Sequence, residues 1–258
     1  MLRELLFGLQ RIGQRLGYNV DVRPIGRTGF PPFVEPYFLE LLGRVRDKTM
    51  VPWQGLFATY AAAKYVALAG IPGDLVECGV WRGGSAQLIA ETVRHFGDDR
   101  RQVYLYDTFA GMTEPGPRDL STSRSAFRRY QKSRRDTYTD WCYSPLEEVQ
   151  RNLRQSGYPF ERFVLVQGKV EDTIPGTIPE RIALLRLDTD FYESTRHELV
   201  HLYPRLSPGG VLLIDDYGTW EGARQAVEEY FAERCEHVLL NVDTASGRAA
   251  AIKPGPKA

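Results

Sequence analysis

The sequence predicts an α/β fold, a mostly parallel seven-stranded sheet with helices wound around it and an antiparallel edge. Three observations carry this. From residue 73 onward, short apolar runs alternate with stretches of helical periodicity, the signature of a wound parallel sheet. Two of the runs, IALLRLD and VLLIDD, stop on aspartates. HVLLNV and GRAAAIK finish the pattern as an antiparallel pair at the sheet edge. A chain of 258 residues fits one large domain with an appendage.

The elements follow in order. Leu2, Leu5, Leu6, Leu9, Ile12 and Leu16 recur at helical spacing opposite Arg3, Arg11 and Arg15, so residues 2–17 read as an amphipathic helix. Such a helix suits an arm that packs on a partner subunit or on the domain, and a membrane surface is the alternative. Gly8, Gly13 and Gly17 would weaken it as a free-standing element. Residues 1–47 are therefore expected to be a helical arm and oligomerisation region of a homo-oligomer, with the main domain over 48–258. After the connector VRPIGRTGFPPF, helical patterns cover 35–46 and 54–69. DLVECGV is the first strand, SAQLIAETVRHF a helix and QVYLYD the second strand. RFVLVQG, IALLRLD and VLLIDD follow a helix at 145–156, with further helices at 193–205 and 221–233. Residues 112–144 are too long for an ordinary connection and are expected to form a lid. Between 118 and 135 they carry seven basic residues and the single acid Asp119. That run is read either as a solvated face or as a device for an anionic acceptor.

The totals exclude several classes. With 33 basic and 33 acidic side chains, no net field draws the chain to nucleic acid. Cys78, Cys142 and Cys235 are far apart and form no CxxC pair, which suits a reducing compartment. No apolar run reaches the roughly 18 residues of a membrane span, and a cytoplasmic protein is expected.

The loop after the first strand, ECGVWRGGS, departs from GxGxxG. Gly79, Gly83 and Gly84 let the backbone approach a ligand, while Glu77 would repel a pyrophosphate and suits a cationic ligand. Asp107 closes the second strand, placed to accept hydrogen bonds from ribose hydroxyls. An acid, two spaced glycines and an acid ending the next strand is the spacing of S-adenosylmethionine (SAM) methyltransferases. A Gly-rich turn that serves only close packing is the bland alternative.

In an open parallel sheet the strand C-terminal ends border the ligand crevice, so Asp188 and Asp215 should meet if their strands are neighbours, with Asp216 and Asp190 just beyond. Two carboxylates about 4 Å apart repel by about 4 kcal/mol at an effective dielectric near 20. All-oxygen ligands favour Mg²⁺, then Mn²⁺ or Ca²⁺. Arg186 supplying the counter-charge is the alternative.

Two motifs are set aside. HELVH at 197–201 matches the zinc-protease signature HExxH, but Thr195, Leu199, Leu202, Tyr203 and Leu206 form the apolar face and the histidines fall opposite. YAAAK at 60–64 has the Tyr-x-x-x-Lys spacing of an NAD-dependent reductase, yet precedes the first strand rather than following it.

Together ECGVWRGGS, LYDTFAGM, RLDTDFYEST, LYPRLSPGG and LLIDDY resemble the TylF-type macrocin O-methyltransferases, which modify sugar hydroxyls of natural products, over roughly residues 48–232. The resemblance implies a Rossmann-like class I SAM methyltransferase. It implies Asp188, Asp215 and Asp216 as Mg²⁺ (or Mn²⁺) ligands and Asp190 as the general base. It also implies a SAM site that includes Glu77, Gly79, Gly83, Ser85, Asp107, Phe109, Gly168 and Asp172, with Thr49 and Met50 of DKTMVP over its methionine end. The acceptor would be a sugar-containing small molecule. Catechol-type enzymes place a lysine base just after the first aspartate, where this chain has Asp190 and Phe191, so an aliphatic alcohol is favoured over a phenol. A phenolic O-methyltransferase and a non-catalytic binding domain are the other readings.

Overall fold

The computed structural model describes residues 29–120 and 126–255. The amphipathic stretch 2–17 lies outside the described residues. The chain divides into two compact units, Met1–Glu40 and Leu41–Ala258, and the second holds the sheet.

The helices are α1 (Pro36–Val45), α2 (Trp53–Leu68), α3 (Gly84–His95), α4 (Ala126–Ser133), α5 (Leu146–Arg154), α6 (Val170–Thr173), α7 (Tyr192–Leu202) and α8 (Glu221–Glu233). The strands are β1 (Asp74–Cys78), β2 (Val103–Asp107), β3 (Phe163–Gln167), β4 (Ile182–Leu187), β5 (Leu206–Ile214), β6 (Asn241–Val242) and β7 (Ala249–Ile252). They form one seven-stranded sheet in the order β3-β2-β1-β4-β5-β7-β6. β1 to β5 are parallel, and β7 is antiparallel to both β5 and β6. The fold class is that expected from the sequence.

Some boundaries differ from the expectation. Pro204 ends α7 early, in a short 3₁₀ turn over Tyr203–Arg205, because it lacks the N–H that would continue the helix. HVLLNV pairs only at Asn241–Val242, and Leu239 beside it is 88% exposed. Residues 112–144, expected to form a lid, contain α4.

Side-chain alternation divides the core into two layers. Leu75, Leu105, Leu184 and Leu213 face a layer completed by Ala63 and Val66 of α2, Ile89 and Val93 of α3 and Leu153 of α5. Val76, Leu185, Leu187, Leu212 and Ile214 face Leu199 and Leu202 of α7 and Val227 and Tyr230 of α8. Winding starts at β1, proceeds outward to β3 and then returns to β4 on the other flank, so the topological switch lies between β1 and β4. The crevice beyond the carboxyl ends of these strands is the default ligand site of such a sheet.

Candidate active site

Strand register builds the acidic cluster. Glu77 pairs with Arg186, and Arg186 with Leu213, so the glutamate and the arginine project to the same face at the sheet centre. The ladder runs on past the strand ends, with Asp188 N–H donating to the Cys78 carbonyl and Asp215 N–H to the Leu187 carbonyl, each at 2.9 Å. Arg186 is 1% exposed. Its Nη1 donates to Glu77 Oε1 (2.8 Å) and Asp188 Oδ2 (2.7 Å), and its Nη2 donates to Asp215 Oδ1 (2.8 Å). A second guanidinium comes from Arg248, just before β7. Its Nε donates to Asp215 Oδ1 at 2.8 Å and its Nη2 to Asp215 Oδ2 at 2.9 Å. The counter-charge foreseen for Arg186 is therefore present, but of the three aspartates it pairs with Asp188 and Asp215 and not with Asp216.

Asp216 has no such partner. It is 8% exposed, and its Oδ2 is buried without a hydrogen bond. Asp188, Asp215 and Asp216 nevertheless each offer an oxygen within 4.8 Å of the others. The Asp190 carboxylate adjoins that of Asp216 and the Trp220 indole. Five carboxylates thus face two guanidinium groups. Burial would raise the Asp215 carboxyl, but Arg186 and Arg248 outweigh it and hold the group below the ordinary range. Burial and then Asp190 push Asp216 well above that range. Burial pushes Asp190 up to about 7, with Asp188 and Asp215 adding to the rise. It pushes Glu77 to about 7 as well, against the pull of Arg186.

Two cavities flank this cluster. One is bordered by Gly79, Trp81, Asp107, Met112, Gly168 and Asp190, and the other by Thr49, Met50, Ser85, Asp188, Asp215 and Asp216. Gly79, at φ +84°, has to be glycine, since a Cβ there would overlap the Asp188 carbonyl. Trp81, Cys142 and Asp190 line the first cavity with positive φ values of 47°, 55° and 70°. Left-handed backbone at a residue with a Cβ costs roughly 1–2 kcal/mol, and such strain gathers at functional sites.

The expected lid is anchored by aromatic packing. Trp141 meets Phe191 edge-on (5.9 Å) and tilts over Trp220 (6.1 Å), while Ala126 of α4 and Ala223 of α8 complete the cluster. Three arginines of the segment 112–144 have partners within the protein. Arg129 lies 4.3 Å over the Trp141 ring, Arg118 lies 4.1 Å over Tyr192, and Arg135 pairs with Asp140. Asp119, 3% exposed, accepts the N–H groups of Gly116 and Tyr192, each at 2.7 Å.

HELVH makes no zinc site. His197 Nε2 hydrogen-bonds the Ile174 carbonyl (2.9 Å), and its ring lies 4.4 Å from that of His201. Glu198, read only as part of that motif, is 0% exposed and points inward to Thr189. It lies three residues after Thr195 and four before Leu202, at the flank of the apolar face that packs on the sheet.

A sequence profile of the macrocin-O-methyltransferase (TylF) family matches residues 46–247. The chain belongs to this family. Among curated proteins, this TylF-family member is 38% identical over 182 residues to the 8-demethyl-8-(2,3-dimethoxy-alpha-L-rhamnosyl)-tetracenomycin-C 4'-O-methyltransferase of Streptomyces olivaceus, covering 70% of this chain and 67% of that one. It is 35% identical over 161 residues to the mycinamicin III 3''-O-methyltransferase of Micromonospora griseorubida, covering 62% and 61%. The solved O-methyltransferase NovP superposes with a TM-score of 0.69 at 28% identity, covering 90% and 92% of the two chains. Calicheamicin methyltransferase CalS11, at 18% identity and a TM-score of 0.56, shares the fold. The TylF-family chain is thus an O-methyltransferase.

The residues implied for its donor site divide in two. Thr49, Met50, Gly79, Ser85, Asp107 and Gly168 line the cavities. Asp107 also fastens the glycine loop, accepting the N–H groups of Val80 (2.7 Å) and Trp81 (3.0 Å) on Oδ2 and that of Phe109 (2.8 Å) on Oδ1. Glu77, Gly83, Phe109 and Asp172 lie outside both linings. The cation that Glu77 meets is Arg186, Gly83 caps α3, and Phe109 packs in the core. Sequence reading missed Arg248, Trp220 and Glu198. Trp81 lay in plain view inside the glycine loop.

Proposed function

We propose that this enzyme transfers the methyl group of SAM to a sugar hydroxyl of a glycosylated natural product, with a divalent cation, Mg²⁺ first, at Asp188, Asp215 and Asp216. The observation that carries the cation is the buried, unpartnered Asp216 Oδ2 within the three-acid group. An all-carboxylate set suits a hard, oxygen-seeking ion. The first cavity suits a nucleoside, with Trp81, Met112 and Val170 for an apolar ring and the carboxylates of Asp107 and Glu171 for hydroxyls. The sugar acceptor is carried over from the relatives' names and from the aliphatic reading of Asp190 and Phe191.

Bound there, the cation would supply Lewis-acid lowering of the hydroxyl pKa, and SAM the electrophilic methyl group. The protein's own residues supply the rest. Asp190, held above the strand ends by its left-handed backbone, accepts the hydroxyl proton, a role worth typically 10²–10⁴ in rate. Trp141, Phe191 and Trp220 close that side against water. Arg118, Arg129 and Arg135 are engaged inside the protein, so they do not of themselves demand an anionic acceptor. The test is transfer of labelled methyl from SAM to deoxysugar glycosides, with and without EDTA. Transfer that EDTA stops and Mg²⁺ restores is expected. Full transfer in EDTA after exhaustive dialysis would remove the cation from the scheme, and transfer to catechols alone would replace the sugar with a phenol.

A further inference from the structure

Asp215 differs from the other two acids of the cluster in having both carboxylate oxygens held by guanidinium groups. Its Oδ1 accepts from Arg186 and Arg248, and its Oδ2 accepts from Arg248 again. The two guanidiniums are not equally fixed. Arg186 is locked at the sheet centre with its side chain 2% exposed, whereas the Arg248 side chain is 21% exposed and enters from the β6–β7 hairpin. Arg248 is also the wall between two spaces. On one side is the cavity over Asp188, Asp215 and Asp216, and on the other a second cavity with the polar side chains of Asn241, Asp243 and Ser246.

We infer that Arg248 is a competitor for the cation, holding the Asp215 face of the cluster until the cation displaces it toward the Asn241–Asp243–Ser246 cavity. This rests on the cation site proposed above. Charge alone sets the direction. A dication and a guanidinium about 6 Å apart repel enough, even at the dielectric of water, to weaken binding roughly tenfold. Occupation of Asp215 Oδ2 adds to this. Arg248 thereby keeps the cluster balanced in the cation-free protein, and the enzyme's affinity for its cation is set from outside the ligand set.

Mn²⁺ binding, followed by calorimetry and by the loss of free-Mn²⁺ electron paramagnetic resonance signal, tests this without turnover. Arg248→Gln is expected to lower the Mn²⁺ Kd by about tenfold or more. Arg248→Lys keeps the charge but cannot span both carboxylate oxygens, so a smaller tightening is expected. An unchanged or raised Kd in folded Arg248→Gln overturns the inference, and if that variant does not fold, an unchanged or raised Kd in Arg248→Lys does so. Asp216→Asn separates the two layers of argument. Binding that requires Asp216 but ignores Arg248 sinks the competition alone, and binding that ignores Asp216 sinks the cation site with it. No saturable binding by wild type or variant sinks both.

Discussion

Thr189 Oγ1 donates a hydrogen bond to Glu198 Oε1 at 3.0 Å, tying the turn between Asp188 and Asp190 to the buried side of α7. Glu198 is fully buried, and among the described residues its Oε2 has no hydrogen-bond partner and no arginine or lysine forms an ion pair with it. Burial pushes its carboxyl well above the ordinary 4.5, in favour of the neutral acid.

The sign of the resulting pH dependence follows. Between 4.5 and its raised folded value, Glu198 keeps a proton that the unfolded chain has released, so its contribution is fully present below 4.5 and is lost as pH rises. Glu198→Gln cannot ionise and should lack that slope. Urea unfolding of both proteins at about pH 5 and about pH 8 should shift the stability difference toward the variant by up to about 1.4 kcal/mol per pH unit. A difference that stays constant with pH would mean that Glu198 is charged in the fold.

Asp190→Asn should reduce kcat by at least about a hundredfold while leaving SAM affinity nearly unchanged. As a base, Asp190 works only when deprotonated, so wild-type kcat/KM should fall as pH drops. Burial sets this limb at about 7 in the cation-free protein, and a cation beside the carboxylate moves it lower. Near-normal kcat in the variant would assign the proton to solvent.

Trp141→Ala should detach residues 112–144, the expected lid, before it unfolds the sheet. Truncating a buried tryptophan costs about 3–5 kcal/mol, and here the lost contacts are with Phe191, Trp220 and Arg129 rather than with the two main core layers. Faster proteolysis within residues 112–144 at an almost unchanged Tm is expected. A lid as resistant as that of wild type would place its anchor elsewhere.

The positions that local pattern dictates were legible in the sequence. Short apolar runs marked the strands, and parallel neighbours carry Asp188 and Asp215 to one edge by register alone, so the convergence of the aspartates could be read in advance. Arg186, two residues before Asp188 and on the same face, was likewise visible as a counter-charge, and it proved compatible with an unpaired Asp216. Arg248 was not legible, because GRAAAIK says strand without saying which carboxylate its arginine will meet. The burial of Glu198 was open to reading, three residues after Thr195 and four before Leu202, but its hydrogen bond to Thr189 depends, like the Arg248 contact, on packing that residue spacing does not record.

Arg248 lies near the end of the sheet's chain order although it serves strands at the centre, and this has a consequence for synthesis. Chains emerge N-terminal end first and begin to fold as they do so. Glu77, Asp188, Asp190, Asp215 and Asp216 all leave the ribosome before Arg248, so a nascent chain that has completed β5 holds the acidic crevice with Arg186 but without its second guanidinium. Only when β7 pairs antiparallel to β5 is that charge delivered to Asp215. A message truncated between codons 234 and 247 would therefore yield the parallel strands with α8 still packed on them but the crevice under electrostatic self-repulsion, a natural substrate for quality-control proteases.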